Sequence, residues 1–145
     1  MKVPGVDHVR IEKELPFPID EFQRRLARVR QEMGTRGLEL LIVSTPENIY
    51  YLSGYHTAGY YCSQCLLVPL HGQPIHITRG TEETNAKALS WIDQTMSYMD
   101  HEKPIDLIGE TITNAGYGDA VIGVEKISWF ITIAESAIVT TCEVQ

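Results

Sequence analysis

Short, nearly continuous apolar runs, separated by segments with helical spacing, constrain the fold of this chain more than any other feature. The clearest runs are residues 38–43, 65–70 and 120–125. Each run is short and lacks the alternation of a strand with one wet face, so each predicts a strand that is buried on both faces. Because a sheet of such strands needs helices against it, the pattern predicts an α/β protein.

Two helices have clear boundary signals. The apolar stripe of the first repeats at spacings of four, three and four residues and consists of Phe22, Leu26, Val29 and Met33. Asp20 is its expected N-cap, because Gln23 can complete a capping box, and Gly37 is its expected C′ residue. Thr45 and Pro46 predict a second, short helix, since proline is favoured at the first helical position.

The remaining elements complete a mixed sheet. They are expected as a strand hairpin at 65–70 and 74–78, a helix from 81 that carries Ala86, Leu89 and Trp91, a strand at 95–99, a helix from Pro104, a strand at 120–125, a helix at 130–139 and a final strand at 141–145. The hairpin must be antiparallel, whereas helical crossovers favour parallel neighbours. This order predicts a three-layer α/β/α sandwich, with residues 1–19 as an extended arm and 20–145 as one domain.

The charge balance and composition exclude several classes of partner. The chain has 145 residues and a net charge of −7, and its densest basic stretch is 24–30, so nucleic acid is not an expected partner. No apolar run approaches the roughly 20 residues that cross a bilayer, and residues 1–5 have no secretory signal, so no membrane is expected either. Three cysteines are too few for a disulfide framework, which indicates the cytoplasm.

Cys62 and Cys65 have the spacing of a redox pair. Such a pair needs a helix N-terminus to lower its thiol pKa, whereas here it leads into a predicted strand. A strand turns residues three apart to opposite faces, so two structural cysteines are the favoured interpretation. The sequence holds no second pair that would complete a zinc site.

Histidines and carboxylates come together at two places. His71 and His76 flank the hairpin loop, and Asp100, His101 and Glu102 are consecutive. Neither group has a defined ligand spacing, so no metal site is predicted in this chain. The sequence also lacks phosphate-binding, dinucleotide-binding, serine-hydrolase and zinc-protease signatures, so no catalytic residue is predicted.

The segment 53–61 has the strongest potential for contact with a ligand or a partner. It contains two glycines and the aromatic residues Tyr55, His56, Tyr60 and Tyr61. Amphipathic rings on a loop suit a ligand or an interface. The alternative is that one or two of the tyrosines cover the edge of the core, and the sequence leaves both interpretations open.

Arg79 ends the second hairpin strand and also has two interpretations. It can bind a substrate carboxylate through its planar guanidinium. The favoured alternative is a salt bridge to Glu82 and Glu83, which contributes under about 1 kcal/mol if it is exposed.

A longer pattern connects these elements. It consists of Phe22-x3-Leu26-x2-Val29-Arg30-x2-Met33-x3-Gly37-Leu38-x2-Leu41-Ile42-Val43, then Pro46-Glu47-Asn48-Ile49-Tyr50-Tyr51-Leu52-Ser53-Gly54-Tyr55, then Leu66-Leu67-Val68, Thr78-Arg79 and Ile122-Gly123-Val124-Glu125 with Trp129. From about Pro16 onward the chain resembles the N-terminal domain of the creatinase, prolidase and aminopeptidase P superfamily, most specifically at 48–54. The resemblance implies a ribonuclease H-like topology.

The resemblance also implies how such a domain functions. In this superfamily it precedes a C-terminal catalytic domain, whose peptidase members use two metal ions held by aspartate, histidine and glutamate to activate water. That domain is absent from this chain, so Mn²⁺, Co²⁺ or Zn²⁺ would belong to a longer protein. The implied partners are this catalytic domain and a second copy of the chain, whose active site the loop 55–61 would reach.

One departure from the family pattern narrows the range of expected substrates. Tyr60 corresponds by resemblance to an aromatic substrate contact of creatinase, but Cys62 stands where creatinase has an arginine, which argues against creatine. The pattern is closer to Xaa-Pro peptidase-like and ectoine hydrolase-like members and does not choose between them. The alternatives from other classes are a freestanding ligand-binding or scaffold domain without catalysis, and a small redox protein built on Cys62 and Cys65.

Overall fold

The computed structural model describes residues 12–126 and 128 of the chain. In this part, helices and strands alternate except at β2 and β3, which follow one another. The helices there are α1 (Ile19–Thr35), α2 (Pro46–Ser53), α3 (Glu83–Leu89) and α4 (Pro104–Asn114). The strands are β1 (Leu40–Val43), β2 (Cys65–Pro69), β3 (Ile75–Arg79), β4 (Gln94–Tyr98) and β5 (Ile122–Val124). The predicted helix 130–139 and strand 141–145 lie outside the described residues.

The strands form one mixed sheet in the order β4-β3-β2-β1-β5. Strand β2 is antiparallel to both of its neighbours, as the hairpin predicts, and Leu66 pairs with His76 across it. The outer pairs, β3 with β4 and β1 with β5, are parallel. The predicted mixed α/β sheet is therefore confirmed.

Helices pack on both faces of the sheet because neighbouring residues of a strand point in opposite directions. One buried cluster lies against α1, α2 and α3 and includes Leu26, Met33, Val43, Ile49, Leu52, Leu66, Val68 and Ala86. The other lies under α4 and includes Leu40, Ile42, Cys65, Leu67, Ile77, Ile108, Ile112 and Ile122. The predicted three layers are thus present. No helix in the described residues is long and apolar enough to cross a membrane.

The start of α1 differs from the prediction. Ile19 is already helical and Pro18 is the N-cap residue, so the assignment of Asp20 as N-cap is wrong. Pro18 has an extended conformation, with φ −60° and ψ 150°, and its carbonyl accepts the Glu21 N–H at 3.0 Å. Asp20 and Glu21 instead lie in the first turn, where their charge favours the positive end of the helix dipole.

The end of α1 agrees with the prediction. Gly37 has φ +69°, and the N–H of Leu38 donates to the carbonyl of Met33 at 2.9 Å. This is the bond pattern of a Schellman motif, which satisfies carbonyl groups at the end of the helix. Gly37 is therefore confirmed as the C′ residue that turns the chain from α1 into β1.

The region around α3 and β4 is shifted slightly from the prediction. Helix α3 ends at Leu89, because Ser90 is extended, so Trp91 is not part of the helix. Its indole N–H donates instead to the carbonyl of Leu52 at 2.8 Å and joins this connection to α2. Strand β4 is Gln94–Tyr98, one residue earlier than expected.

Gly54 lies where three helices meet. It follows α2 with φ +85°, a left-handed conformation that favours glycine. A Cβ atom at this position would lie 3.0 Å from the carbonyl oxygen of Leu89 and 3.1 Å from Cζ of Phe22. Both the conformation and the close packing therefore require glycine at the point where the chain leaves α2.

Candidate functional site

Helix α2 sets the direction in which the tyrosine-containing loop leaves the sheet, and Glu125 fixes the N-terminus of α2. The Glu125 carboxylate, just past β5, accepts the backbone N–H groups of Ser44 at 2.6 Å and Thr45 at 2.7 Å. It also accepts the side-chain amide of Asn48. A carboxylate suits the positive end of a helix. Asn48 and Glu125, both in the segments that carry the resemblance, thus join α2 to β5.

The first half of the loop is held at a buried point that we call the loop base, formed by Tyr55, Thr57 and Glu82. Tyr55 is only 1% exposed, and its ring packs edge-on against the ring of His76 with centroids 4.7 Å apart. The Tyr55 hydroxyl donates to Oε2 of Glu82 at 2.9 Å, and the Thr57 hydroxyl donates to the same oxygen at 2.6 Å. One carboxylate therefore binds two residues of the loop.

The groups of the loop base have shifted pKa values. The hydrogen bond from Thr57 lowers the pKa of Glu82, so this carboxylate is charged at neutral pH. Burial raises the pKa of Tyr55 to about 12, which keeps its hydroxyl protonated as a donor. Among the described residues His76 has no hydrogen-bond partner at either ring nitrogen, and burial lowers its pKa to about 4.

The second half of the loop presents what we call the loop tip, Tyr60 and Tyr61. These side chains are 56% and 75% exposed, and their rings meet edge-on with centroids 6.3 Å apart. The chain returns to β2 through Ser63, whose carbonyl accepts the Tyr98 hydroxyl at 2.6 Å. The tip is thus an aromatic surface supported on both sides by bonds to the sheet layer.

His56 and Arg79 flank the loop in different ways. His56 is exposed and its ring packs edge-on against Tyr50, with centroids 5.8 Å apart. Arg79 lies beside the return of the loop, because one of its Nη atoms is 3.8 Å from Sγ of Cys62. The structure therefore brings Arg79 near the loop but gives it a different partner from the predicted one.

The predicted salt bridge between Arg79 and the glutamates Glu82 and Glu83 is wrong. Arg79 instead makes a bidentate pair with Asp100, with both N–O distances at 2.6 Å. Strands β3 and β4 are parallel and in register at Arg79 and Tyr98, which places Asp100 just past the end of β4 beside the guanidinium. The Arg79 guanidinium lowers the pKa of Asp100, and the Asp100 carboxylate raises the pKa of Arg79.

The remaining sequence candidates are dispersed. Cys65 belongs to the buried cluster under α4, whereas Cys62 is half-buried beside Arg79, an arrangement that supports structural roles for both. His71 lies exposed in the hairpin loop and His76 lies in the core. In residues 12–126 and 128, no three histidine, cysteine or acidic side chains cluster as metal ligands. This part of the chain therefore offers no ligand set for the divalent ions that the resemblance implies.

Sequence reasoning missed the loop base. The bonds to Glu82 join residues that are 25 and 27 positions apart, so no local pattern signals them. The one local signal is the spacing of Thr57 and Gly59, because a threonine hydroxyl commonly binds the backbone N–H two residues on. Here that bond is present at 2.8 Å.

Comparison of the sequence with known protein families assigns this chain to one of them. Residues 25–138 match the sequence profile of the creatinase/prolidase N-terminal domain. The chain belongs to this family. The match confirms the resemblance that rests on residues 48–54 and on the pattern of α1 and β1.

Solved structures agree with the fold of this creatinase/prolidase N-terminal domain. The N-terminal domain of an Xaa-Pro dipeptidase from Lactobacillus brevis aligns with a TM-score of 0.70 at 20% identity, over 79% of this chain and 84% of that one. The corresponding domain of an X-Pro dipeptidase from Streptococcus pyogenes aligns with a TM-score of 0.68 at 22% identity, over 80% and 85% of the two chains. These neighbours establish the fold of the described domain.

The curated relatives of this creatinase/prolidase N-terminal domain are longer. An ectoine hydrolase from Halomonas elongata is 32% identical over 131 residues, which cover 84% of this chain and 33% of that protein. A putative dipeptidase from Bacillus subtilis is 27% identical over 111 residues, which cover 77% and 31%. The chain therefore spans about a third of the length of the curated relatives it matches.

Proposed function

We propose that this domain is the non-catalytic N-terminal part of a longer hydrolase that cleaves a C–N bond, that it supports a homodimer, and that its loop tip contributes to the partner's active site. The observation that carries the proposal is the aromatic loop tip, Tyr60 and Tyr61, exposed on a buried loop base. The similarity to an ectoine hydrolase and to dipeptidases indicates the reaction class of the longer protein.

The physical argument concerns the entropy of binding. A contact loop that must be ordered on binding loses affinity, whereas a loop that is already fixed does not. Tyr55 is buried and Glu82 binds two loop residues, so the position of the tip is set before any partner arrives. Tyrosines combine an apolar ring with a polar hydroxyl, which suits a surface that closes over a small polar substrate.

His56 and Arg79 have lesser roles in this proposal. His56 is exposed on the same loop and can extend the contact surface. Arg79 already forms a bidentate pair with Asp100, so a substrate carboxylate would have to displace Asp100 in order to bind it. In the proposal Arg79 therefore supports the return of the loop, through Cys62, more than it binds substrate.

Catalysis is assigned to the C-terminal domain of the longer protein, which would act in the cytoplasm with Mn²⁺, Co²⁺ or Zn²⁺ as the candidate metals. The decisive observation is the gene sequence beyond Gln145, which should encode a metallohydrolase domain with two aspartates, a histidine and two glutamates, or a creatinase-like histidine. A downstream sequence with neither would exclude the proposal. The chain alone should hydrolyse no dipeptide with any of these ions.

The contribution of the loop tip is tested in that longer protein. Tyr60→Ala and Tyr61→Ala should each reduce kcat/KM toward Xaa-Pro dipeptides or ectoine by about tenfold or more, the effect of losing one buried aromatic contact. Met96→Ala, which removes an exposed apolar side chain outside the loop, is the matched control and should leave kcat/KM unchanged. If both tyrosine variants retain full activity toward every substrate that is cleaved, the tip has no role in the active site.

A freestanding binding domain is the second candidate, and one observation favours it. A groove of about 700 Å³ lies between α1 and the hairpin loop. Its lining combines the apolar residues Leu26, Leu70 and Trp91 with the polar residues Gln23, Arg30, Gln31, His71 and Gln73. An apolar floor with a few polar groups is typical of small-molecule sites. A stop codon directly after Gln145 in the gene would favour this candidate over the hydrolase domain.

A further inference from the structure

We propose that Glu82 is a positioning residue that holds the loop tip in the conformation in which it meets the partner. This inference rests on the proposed function of the tip, and it concerns a residue that the sequence suggested only as a salt-bridge partner of Arg79. Glu82 ends the 3₁₀ turn Gly80–Glu82 between β3 and α3, and its side chain is half-buried. Glu82 therefore lies in the connection between β3 and α3, and its carboxylate faces the loop.

A series of hydrogen bonds runs from Glu82 to the tip. The carboxylate accepts the Thr57 hydroxyl at 2.6 Å, and the oxygen of that hydroxyl accepts the N–H of Gly59 at 2.8 Å. The carbonyl of Gly59 then accepts the N–H of Cys62 at 3.0 Å. The last of these bonds closes the turn that contains Tyr60 and Tyr61. Each bond in the series shares a residue with the one before it, so the series connects the Glu82 carboxylate to the turn.

Gly59 packs directly against this carboxylate. A Cβ atom at Gly59 would lie 3.2 Å from Oγ1 of Thr57 and 3.4 Å from Oε1 of Glu82. The first distance is tighter than ordinary van der Waals contact and the second is an ordinary contact, so the backbone at Gly59 packs closely on the Thr57 hydroxyl and also touches the Glu82 carboxylate. Glu82 therefore contacts the loop in two ways, by the hydrogen bond from Thr57 and by packing against Gly59.

The neighbouring charges leave Glu82 available for the loop. Arg79, the nearest cation along the chain, is occupied by Asp100. Glu83, the adjacent carboxylate, accepts the Ser97 hydroxyl at 2.6 Å and pairs with Lys87, so it serves α3 and β4. Two consecutive glutamates thus have separate structural partners, and only the first contacts the loop. This separation supplies a matched control.

Amide hydrogen exchange in the 145-residue chain tests the inference residue by residue. Glu82→Ala and Thr57→Val should each accelerate exchange at the N–H groups of Gly59 and Cys62 by about tenfold, the factor expected for loss of a hydrogen bond to a charged group. Thr57→Ser keeps the hydroxyl and should restore the slow exchange. Glu83→Ala should leave both amides at their original rates.

Three results would overturn the inference. The first is unchanged exchange at Gly59 and Cys62 in both Glu82→Ala and Thr57→Val. The second is equal acceleration at Leu66 and Leu67 of β2, which would make Glu82 a general stabiliser of the domain. The third is failure of Thr57→Ser to restore slow exchange. Because these measurements use the chain alone, they stand or fall independently of the activity of the Tyr60 and Tyr61 variants in the longer protein.

Discussion

Tyr55 and Tyr61 belong to the same loop, yet one is buried in the domain and the other is exposed to solvent. Tyr55 is 1% exposed and packs between His76 and the carboxylate of Glu82, whereas Tyr61 is 75% exposed. The loop base contributes to the stability of the domain, and the loop tip contributes no comparable burial. A buried base lets an exposed tip carry recognition without a large loss of conformational entropy on binding. Mutations at the two ends should therefore separate stability from function.

The largest expected effect is on the loop base. Tyr55→Ala should lower the free energy of unfolding by about 3–5 kcal/mol, because it removes a buried aromatic ring and leaves a cavity. Urea denaturation followed by circular dichroism measures this loss. A loss below about 1 kcal/mol, the scale of ordinary surface changes, would show that the loop base is not part of the core.

His76, which packs against the loop base, should make the stability of the domain depend on pH. Burial holds the pKa of His76 at about 4 in the folded state, below its ordinary value of 6.5, so the unfolded chain binds the proton first as pH falls. Folding should therefore lose about 3 kcal/mol of stability from this group between pH 7 and pH 4.

The measurement compares urea denaturation of the original chain and of His76→Leu across that pH range. The variant should lack the part of the pH dependence that comes from His76, so the difference between the two stability curves should change by about 3 kcal/mol. Parallel curves for His76→Leu and the original chain would contradict the assignment.

Loss of the Arg79 side chain should have an effect on stability between those of Tyr55→Ala and Tyr61→Ala. Its pair with Asp100 is at least partly exposed, so Arg79→Ala should lower the melting temperature only slightly, and this loss should shrink at high salt. Thermal denaturation at low and high ionic strength measures both effects. A salt-independent loss of several kcal/mol would mean that the ion pair acts as a buried one.

The smallest effect on stability is expected at the tip. Tyr61→Ala should change the free energy of unfolding by no more than about 0.5 kcal/mol, as exposed substitutions usually do. The same variant should weaken self-association of the longer protein, which sedimentation velocity can measure. A destabilisation as large as that of Tyr55→Ala would erase the distinction between base and tip.

Much of the fold was predictable because periodicity reports local burial. The stripe on α1, the glycine at position 37, the hairpin of β2 and β3 and the helix that begins at Pro104 all have local signals, and all are present. The N-cap of α1 was not predictable in the same way, because aspartate is a preferred N-cap residue, yet the helix begins at Ile19, before Asp20, and has no side-chain cap.

The site was less predictable because its bonds are long-range. Tyr55 and Tyr61 have no periodicity to distinguish them, since a loop imposes no repeating direction on its side chains. The pairing of Arg79 with Asp100 follows from the parallel register of β3 and β4, which the sequence does not specify. The same holds for Glu125, whose bonds to Ser44 and Thr45 connect elements 80 or more residues apart.

Gly54 has a consequence for how such a domain can diversify. No side chain fits there without moving Leu89 or Phe22, so the origin of the loop is fixed by the packing of three helices. At Tyr60 and Tyr61 the chain meets solvent and not the core, so these two side chains can be exchanged at little thermodynamic cost. A protein lineage with this fold can therefore vary the two outward side chains of the loop while its architecture stays constant.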